Sequence, residues 1–146
     1  MARNLFTVGY QGTRIDSFIA QIKKHEINCL IDVREIPLSR KPGFSKTSLS
    51  GHLANNNIRY IHLKELGSPK SLRENLKIDN DYATFFAGME EHLLDKQDAI
   101  ENAYFFITNN TCCLMCYERL ADNCHRKVVA NKIKEWNGNG LKIKHI

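Results

Sequence analysis

A chain of 146 residues, 42% of them hydrophobic, has enough apolar side chain for one core, and residues 1–146 are expected to fold as a single domain. Its formal charge of +5, from 21 Lys and Arg against 16 Asp and Glu, is modest, so the placement of charge carries more information than its sum. The apolar runs, 29–31 and 112–116 among them, are too short to span a bilayer, and no charged start leads into a long apolar stretch, so the expectation is a cytoplasmic protein with no membrane partner.

Leu5-Phe6-Thr7-Val8 before Gly9 reads as a buried strand, and Thr13 with Asp16 three residues on reads as a capping box opening a helix. Ile15, Phe18, Ile19 and Ile22 then form one apolar helical stripe. Cys29-Leu30-Ile31-Asp32-Val33 is the next strand, which completes a right-handed βαβ unit with parallel strands. Residues 34–47, with Pro37, Pro42 and Gly43, read as a long surface loop with little core to pack against around 39–46. A short helix bearing Leu49 and Leu53, a break at Asn55-Asn56-Asn57 and a third strand over 58–63 follow, ended by Gly67-Ser68-Pro69. Tyr82, Phe85, Phe86, Met89 and Leu93 carry helical spacing and are assigned to the core.

Residues 111–117 are the most apolar segment and are expected to be a central strand covered on both faces. Asp122 or Asn123 is placed to cap the next helix, with Val129, Ile133 and Trp136 facing inward, and Gly138 and Gly140 end it before a last strand over 141–146. Alternating strands and helices give an α/β fold: a mainly parallel sheet flanked by helices, Rossmann-like and three-layered.

In open parallel sheets the ligand crevice lies beyond the carboxyl ends of the strands. Gly9 and Tyr10, Asp32 and Arg34, His62 and Glu65, and Cys116 and Glu118 occupy those ends. Acidic side chains gather in 79–101, whereas basic ones gather in 34–46 (Arg34, Arg40, Lys41, Lys46) and 119–134 (Arg119, Arg126, Lys127, Lys132, Lys134).

Cys116-Tyr117-Glu118 followed by Cys124-His125-Arg126 joins a strand end to a helix start, and both carry reactive or ionic groups. A thiol at a helix N-terminus is expected to ionise more readily, so Cys124 or Cys116 is a candidate nucleophile. His125 or Glu118 would handle protons, while the Arg126 fork suits phosphate or carboxylate. The five cysteines, three of them within 112–116, do not form the paired framework of a small secreted domain, so reduced thiols are expected.

Thr7-Val8-Gly9-Tyr10, Asp32-Val33-Arg34 with Pro37 and Ser39-Arg40, Lys41-Pro42-Gly43-Phe44-Ser45, Tyr60-Ile61-His62, Leu66-Gly67, Cys116, Glu118 and Cys124-His125-Arg126 together resemble the family catalogued as domain of unknown function 488. The resemblance implies a Cys…Cys-His-Arg motif and leaves the reaction open.

Cys113-x5-Arg119 has the bare spacing of a phosphatase loop, but the bulky, glycine-free residues between could not wrap backbone amides round a phosphate. Cys116, Cys124 and His125 with His62 could make a tetrahedral zinc site, yet their spacing matches no common zinc motif and no metal is expected. The Asp32-Val33-Arg34 turn is similar to one in rhodanese-like domains, an analogy of fold and not of function. No motif identifies a cofactor.

The leading expectation is an enzyme-like anion site for a phosphorylated small molecule, such as a nucleotide, or a nucleic-acid segment. Cys116, Glu118, Cys124 and His125 would be catalytic. Gly9, Tyr10, Asp32, Arg34, Arg40, Lys41, His62 and Arg126 would bind the ligand. The alternative is a non-catalytic nucleic-acid-binding or regulatory module using the same basic surface.

Overall fold

The computed structural model describes residues 3–136, 138 and 140–146. Five strands, β1 (Arg3–Gly9), β2 (Cys29–Asp32), β3 (Arg59–His62), β4 (Cys112–Cys116) and β5 (Leu141–His145), alternate with helices α1 (Ile15–Lys24), α2 (Lys46–Ala54), α3 (Lys70–Asp79), α4 (Tyr82–Leu93), α5 (Gln97–Asn109) and α6 (Arg126–Trp136). The sheet order is β3-β2-β4-β1-β5 and every pairing is parallel, giving the Rossmann-like three-layer α/β fold. No helix among the described residues is long and apolar enough to cross a membrane.

Side-chain alternation along the strands sorts the core into two layers. Phe6, Val8, Leu30, Cys113 and Met115 face α1 and α2, where Phe18, Ile19, Ile22, Leu49 and Leu53 are buried. Leu5, Cys29, Ile31, Cys112, Leu114 and Cys116 face the other way, against Met89, Ile100, Ile107, Val129 and Ile133 of α4, α5 and α6. Burying each such side chain contributes roughly 1.5–3 kcal/mol, which is why the apolar stripes hold their helices to the sheet.

The adjacent strands β1 and β4 send their chains to opposite faces, β1 into α1 and β4 into α6. Their carboxyl ends therefore form a topological switch point, where the departing segments leave a crevice. The backbone holds the two ends together: the Tyr10 amide donates to the Cys116 carbonyl at 3.2 Å and the Gln11 amide to the Tyr117 carbonyl at 2.8 Å.

Several local expectations change. Thr13 caps nothing: the residue before α1 is Arg14, whose side chain makes no cap, while Asp16 takes up the Ser17 amide at 2.9 Å. Asp122 and Asn123 lie in a short 3-10 turn (Ala121–Asn123), and α6 begins only at Arg126, whose amide donates to the Cys124 sulfur at 3.4 Å. Trp136 is 43% exposed instead of inward-facing, because it ends the helix beyond the covering neighbours. The loop at 39–46 does pack into the core: Phe44 is fully buried, stacked at 4.5 Å on Tyr10 and edge-on at 5.2 Å to Phe18.

Gly9 ends β1 where no side chain fits. A Cβ there would come within 1.7 Å of the Glu118 carbonyl oxygen, so the loop after β4 lies directly on the glycine backbone. Gly9→Ala is expected to lower stability in urea unfolding by about 1–3 kcal/mol, the usual cost of overpacking. An unchanged midpoint would show that the two loops do not touch.

Candidate functional site

At the switch point a cleft of about 470 Å³ opens, with Arg34, Arg73, Lys77, Cys116, Glu118 and His125 among its lining residues. Strand parity turns Cys116 toward α6, and the turn before α6 brings Cys124, His125 and Arg126 back over the end of β4.

Arg126 is wholly buried. Its Nε donates to the Thr7 hydroxyl at 3.1 Å, its Nη1 to the Glu118 carbonyl and, at 3.2 Å, to the Cys116 sulfur, and its Nη2 to the Arg119 carbonyl at 3.1 Å. The Thr7 hydroxyl, which accepts from Arg126, also shares a hydrogen bond with His145 Nδ1. The guanidinium thus faces the protein, and Arg126 is not among the cleft's lining residues. No carboxylate forms a salt bridge with it among the described residues; burial lowers its pKa, and Glu118 opposes that only through space.

His125 is 6% exposed, with Nε2 2.6 Å from the Val33 carbonyl. A carbonyl only accepts, so Nε2 carries the proton and Nδ1 keeps its lone pair, which lies 3.8 Å from the Cys124 sulfur. Burial holds this imidazole neutral, with its pKa down at about 4 against the pull of the Val33 carbonyl. Glu118 Oε2 is 3.6 Å from the Cys116 sulfur, and burial raises its carboxyl above the usual range despite Arg126.

The sulfurs of Cys116 and Cys124 are joined at 2.03 Å. The expectation of reduced thiols throughout is corrected here: Cys29, Cys112 and Cys113 are free and buried, but the strand end and the turn before α6 bring the other two into contact. Cys116, Cys124 and His125 also place one sulfur or nitrogen atom each within 4.8 Å of the others. His62 is not in that group, because its Nε2 donates to the Arg34 carbonyl at 2.8 Å.

A second buried knot sets the position of Arg34. Asp32, with no exposed surface, accepts from Arg34 Nε at 2.9 Å, Arg34 Nη2 at 2.7 Å, the Arg34 amide at 3.1 Å and the Tyr60 hydroxyl at 2.6 Å. Arg34 Nη1 donates to the Tyr10 hydroxyl at 3.1 Å. Burial works against the Arg34 charge, but Asp32 prevails and raises its pKa, while burial and Asp32 together push the Tyr60 hydroxyl up.

Of the residues singled out in the sequence, Tyr10, Arg34, Cys116, Glu118 and His125 line the cleft, and Cys124 lies directly behind Cys116. Gly9, Asp32, His62 and Arg126 support it from within, whereas Arg40 and Lys41 are not among its lining residues. Arg73 and Lys77, both on α3, complete the wall and were not anticipated. Arg73 donates to the Ser68 carbonyl and, at 3.0 Å, to Glu35, while Lys77 is exposed and makes no ion pair among the described residues.

The His125 environment carries a pH signature. An ordinary imidazole titrates near pH 6.5 in the unfolded chain and at about 4 here, so the unfolded state takes up the proton first as pH falls. Stability is complete above about pH 6.5 and is lost toward pH 4, by an amount of order 3 kcal/mol. Urea unfolding across this range is expected to show a smaller loss in His125→Asn than in the parent chain. Equal pH slopes would refute the buried neutral imidazole.

No curated protein and no solved structure matches the chain. The model of the family described as Domain of unknown function DUF488 matches residues 14–133, a span that holds Arg34, Arg73, Lys77, Cys116, Glu118 and Cys124-His125-Arg126. The match covers well over half of the sequence and includes the whole Cys…Cys-His-Arg cluster, so the chain belongs to the DUF488 family.

Proposed function

We propose that the chain, with the Cys116–Cys124 disulfide reduced, is an enzyme acting on a small anionic molecule, one bearing a phosphate or carboxylate, held in the cleft with its reacting atom against Cys116. The carrying observation is the composition of that cleft: about 470 Å³ at a switch point, with a sulfur, an imidazole and a carboxyl on its floor and cationic side chains on its wall. That volume suits a ligand of nucleotide or sugar-phosphate size.

Charge pairing decides which groups would meet the anion. Arg34 is matched by Asp32 at 2.7 Å and Arg73 by Glu35 at 3.0 Å, so their charges are largely answered within the protein. Lys77 is unmatched among the described residues, and it is the cation best placed to be neutralised by a ligand. Cys116, Glu118, Cys124 and His125 supply the chemistry; Arg126 is a positioning residue that fixes Cys116, and Asp32, Tyr10 and His62 do the same for Arg34. The reading as a nucleic-acid-binding module has less support. Lys127 is paired with Asp122 at 3.0 Å and Lys132 with Glu90 at 2.9 Å, which neutralises these two basic side chains of α6.

A melting-temperature screen of nucleotides and sugar phosphates tests the reading, since a ligand held by the native fold raises the transition. The best ligand is expected to bind about fivefold more weakly to Lys77→Gln, the size of an exposed ion-pair contact of about 1 kcal/mol. Cys116→Ser is expected to keep binding and lose turnover. Absence of any stabilising anion, together with salt-steep binding to long DNA or RNA, would replace the enzyme with the binding module.

A further inference from the structure

We infer that, with Cys116 and Cys124 reduced, their two sulfurs and His125 Nδ1 form a three-ligand site for one thiophilic divalent cation, zinc, whose fourth position opens to the cleft. The three donor atoms already lie within 4.8 Å of one another, and two of the three residues line the cleft. Two thiolates and one imidazole are the donors that zinc favours, and a set of three with one open position is the pattern of reactive zinc sites.

The surroundings of these atoms suit the role. The Val33 carbonyl holds the Nε2 proton of His125 at 2.6 Å, which leaves Nδ1 as the donor; such an outer hydrogen bond fixes the ring of most metal-bound histidines. The Arg126 amide points at the Cys124 sulfur at 3.4 Å and its Nη1 at the Cys116 sulfur at 3.2 Å, so each sulfur has an N–H donor ready to share thiolate charge. The Cα atoms of the two cysteines stand 7.4 Å apart. Disulfides usually close over about 4.4–6.8 Å, whereas two thiolates bound tetrahedrally to one zinc hold their sulfurs about 3.8 Å apart, which this wider backbone spacing accommodates.

Two thiolates neutralise the divalent cation, and binding releases the two thiol protons to solvent. Glu118, 3.6 Å from the Cys116 sulfur, lines the same cleft. The open position rests on the reading of the cleft as a ligand site; the three-donor cluster does not.

The full chain, reduced with a phosphine and stripped of metal with a chelator, is titrated with Zn²⁺ against a chromophoric competitor, and with Co²⁺ for its thiolate charge-transfer and tetrahedral visible bands. The expected result is one equivalent per chain, with Cys116 and Cys124 shielded from alkylation and Cys29, Cys112 and Cys113 labelled as before. Cys124→Ser is expected to weaken Zn²⁺ by at least about a hundredfold. Failure to bind one equivalent, shielding of the other three cysteines instead, or undiminished affinity in a folded Cys116→Ser/Cys124→Ser chain would overturn the proposal. The labelling map uses the parent chain alone, so it decides the matter even if a variant does not fold. Anion-induced stabilisation, read in chelator through the Lys77→Gln comparison, separates the two claims: its survival without zinc binding removes the metal alone, and its loss with zinc binding intact removes the anion reading alone.

Discussion

A guanidinium taken fully out of water must have its donors met and its charge answered, because an unpaired buried charge costs several kcal/mol. Arg126 meets the first demand with Thr7, two loop carbonyls and the Cys116 sulfur. It does not meet the second with any carboxylate in contact among the described residues. Glu118 answers the charge only through space, and the Cys116 sulfur accepts from the guanidinium at 3.2 Å. In the structure that sulfur is joined to Cys124; only once the disulfide is reduced would ionising it relieve the buried cation.

Much of the remaining geometry follows from seating this one side chain. The carbonyl of Glu118 must turn inward to accept from Arg126, and it then occupies the space over Gly9 that a Cβ would need. Thr7 passes the contact on to His145 across the β1–β5 pairing, tying the sheet edge to the site. On the far side of the cleft the Asp32–Arg34 knot and the two histidine contacts to the Val33 and Arg34 carbonyls hold the loop after β2. Most cationic and acidic groups at this switch point therefore hold the structure, whereas Lys77 lines the cleft with no ion pair among the described residues.

Strands β1, β2 and β4 and helices α1, α4 and α6 are readable in the sequence from their apolar runs and stripes, whereas α2 shows only Leu49 and Leu53. Parity along 112–116 also places Cys116 on the face of α6, which is why the motif comes together. Helix α3 escapes notice because it buries no residue completely and offers only Leu72 and Leu76 to a neighbour, and Arg73 and Lys77 are hidden with it. Helix α5 carries Ile100, Ala103, Tyr104 and Ile107 at helical spacing, so its apolar stripe is legible in the sequence. Local chemistry misleads at Arg126: its fork looks made for a ligand, and only the tertiary structure reveals the carbonyls that saturate it. The same holds for Thr13 and Asn123, whose capping character is not used.

The proposed role of Cys116 as the reacting group rests on Arg126 stabilising it as an anion once its disulfide to Cys124 is reduced. In reduced, metal-free protein, the iodoacetamide labelling rate of Cys116 is followed by mass spectrometry between pH 6 and 9, in the parent chain and in Arg126→Gln with its fold confirmed by circular dichroism. The account expects a rate already near its plateau at neutral pH in the parent chain, and one that climbs about tenfold per pH unit in the variant, as for an ordinary thiol. A rate that climbs equally steeply in both proteins would contradict it and leave Cys116 a packing residue beside a purely structural arginine.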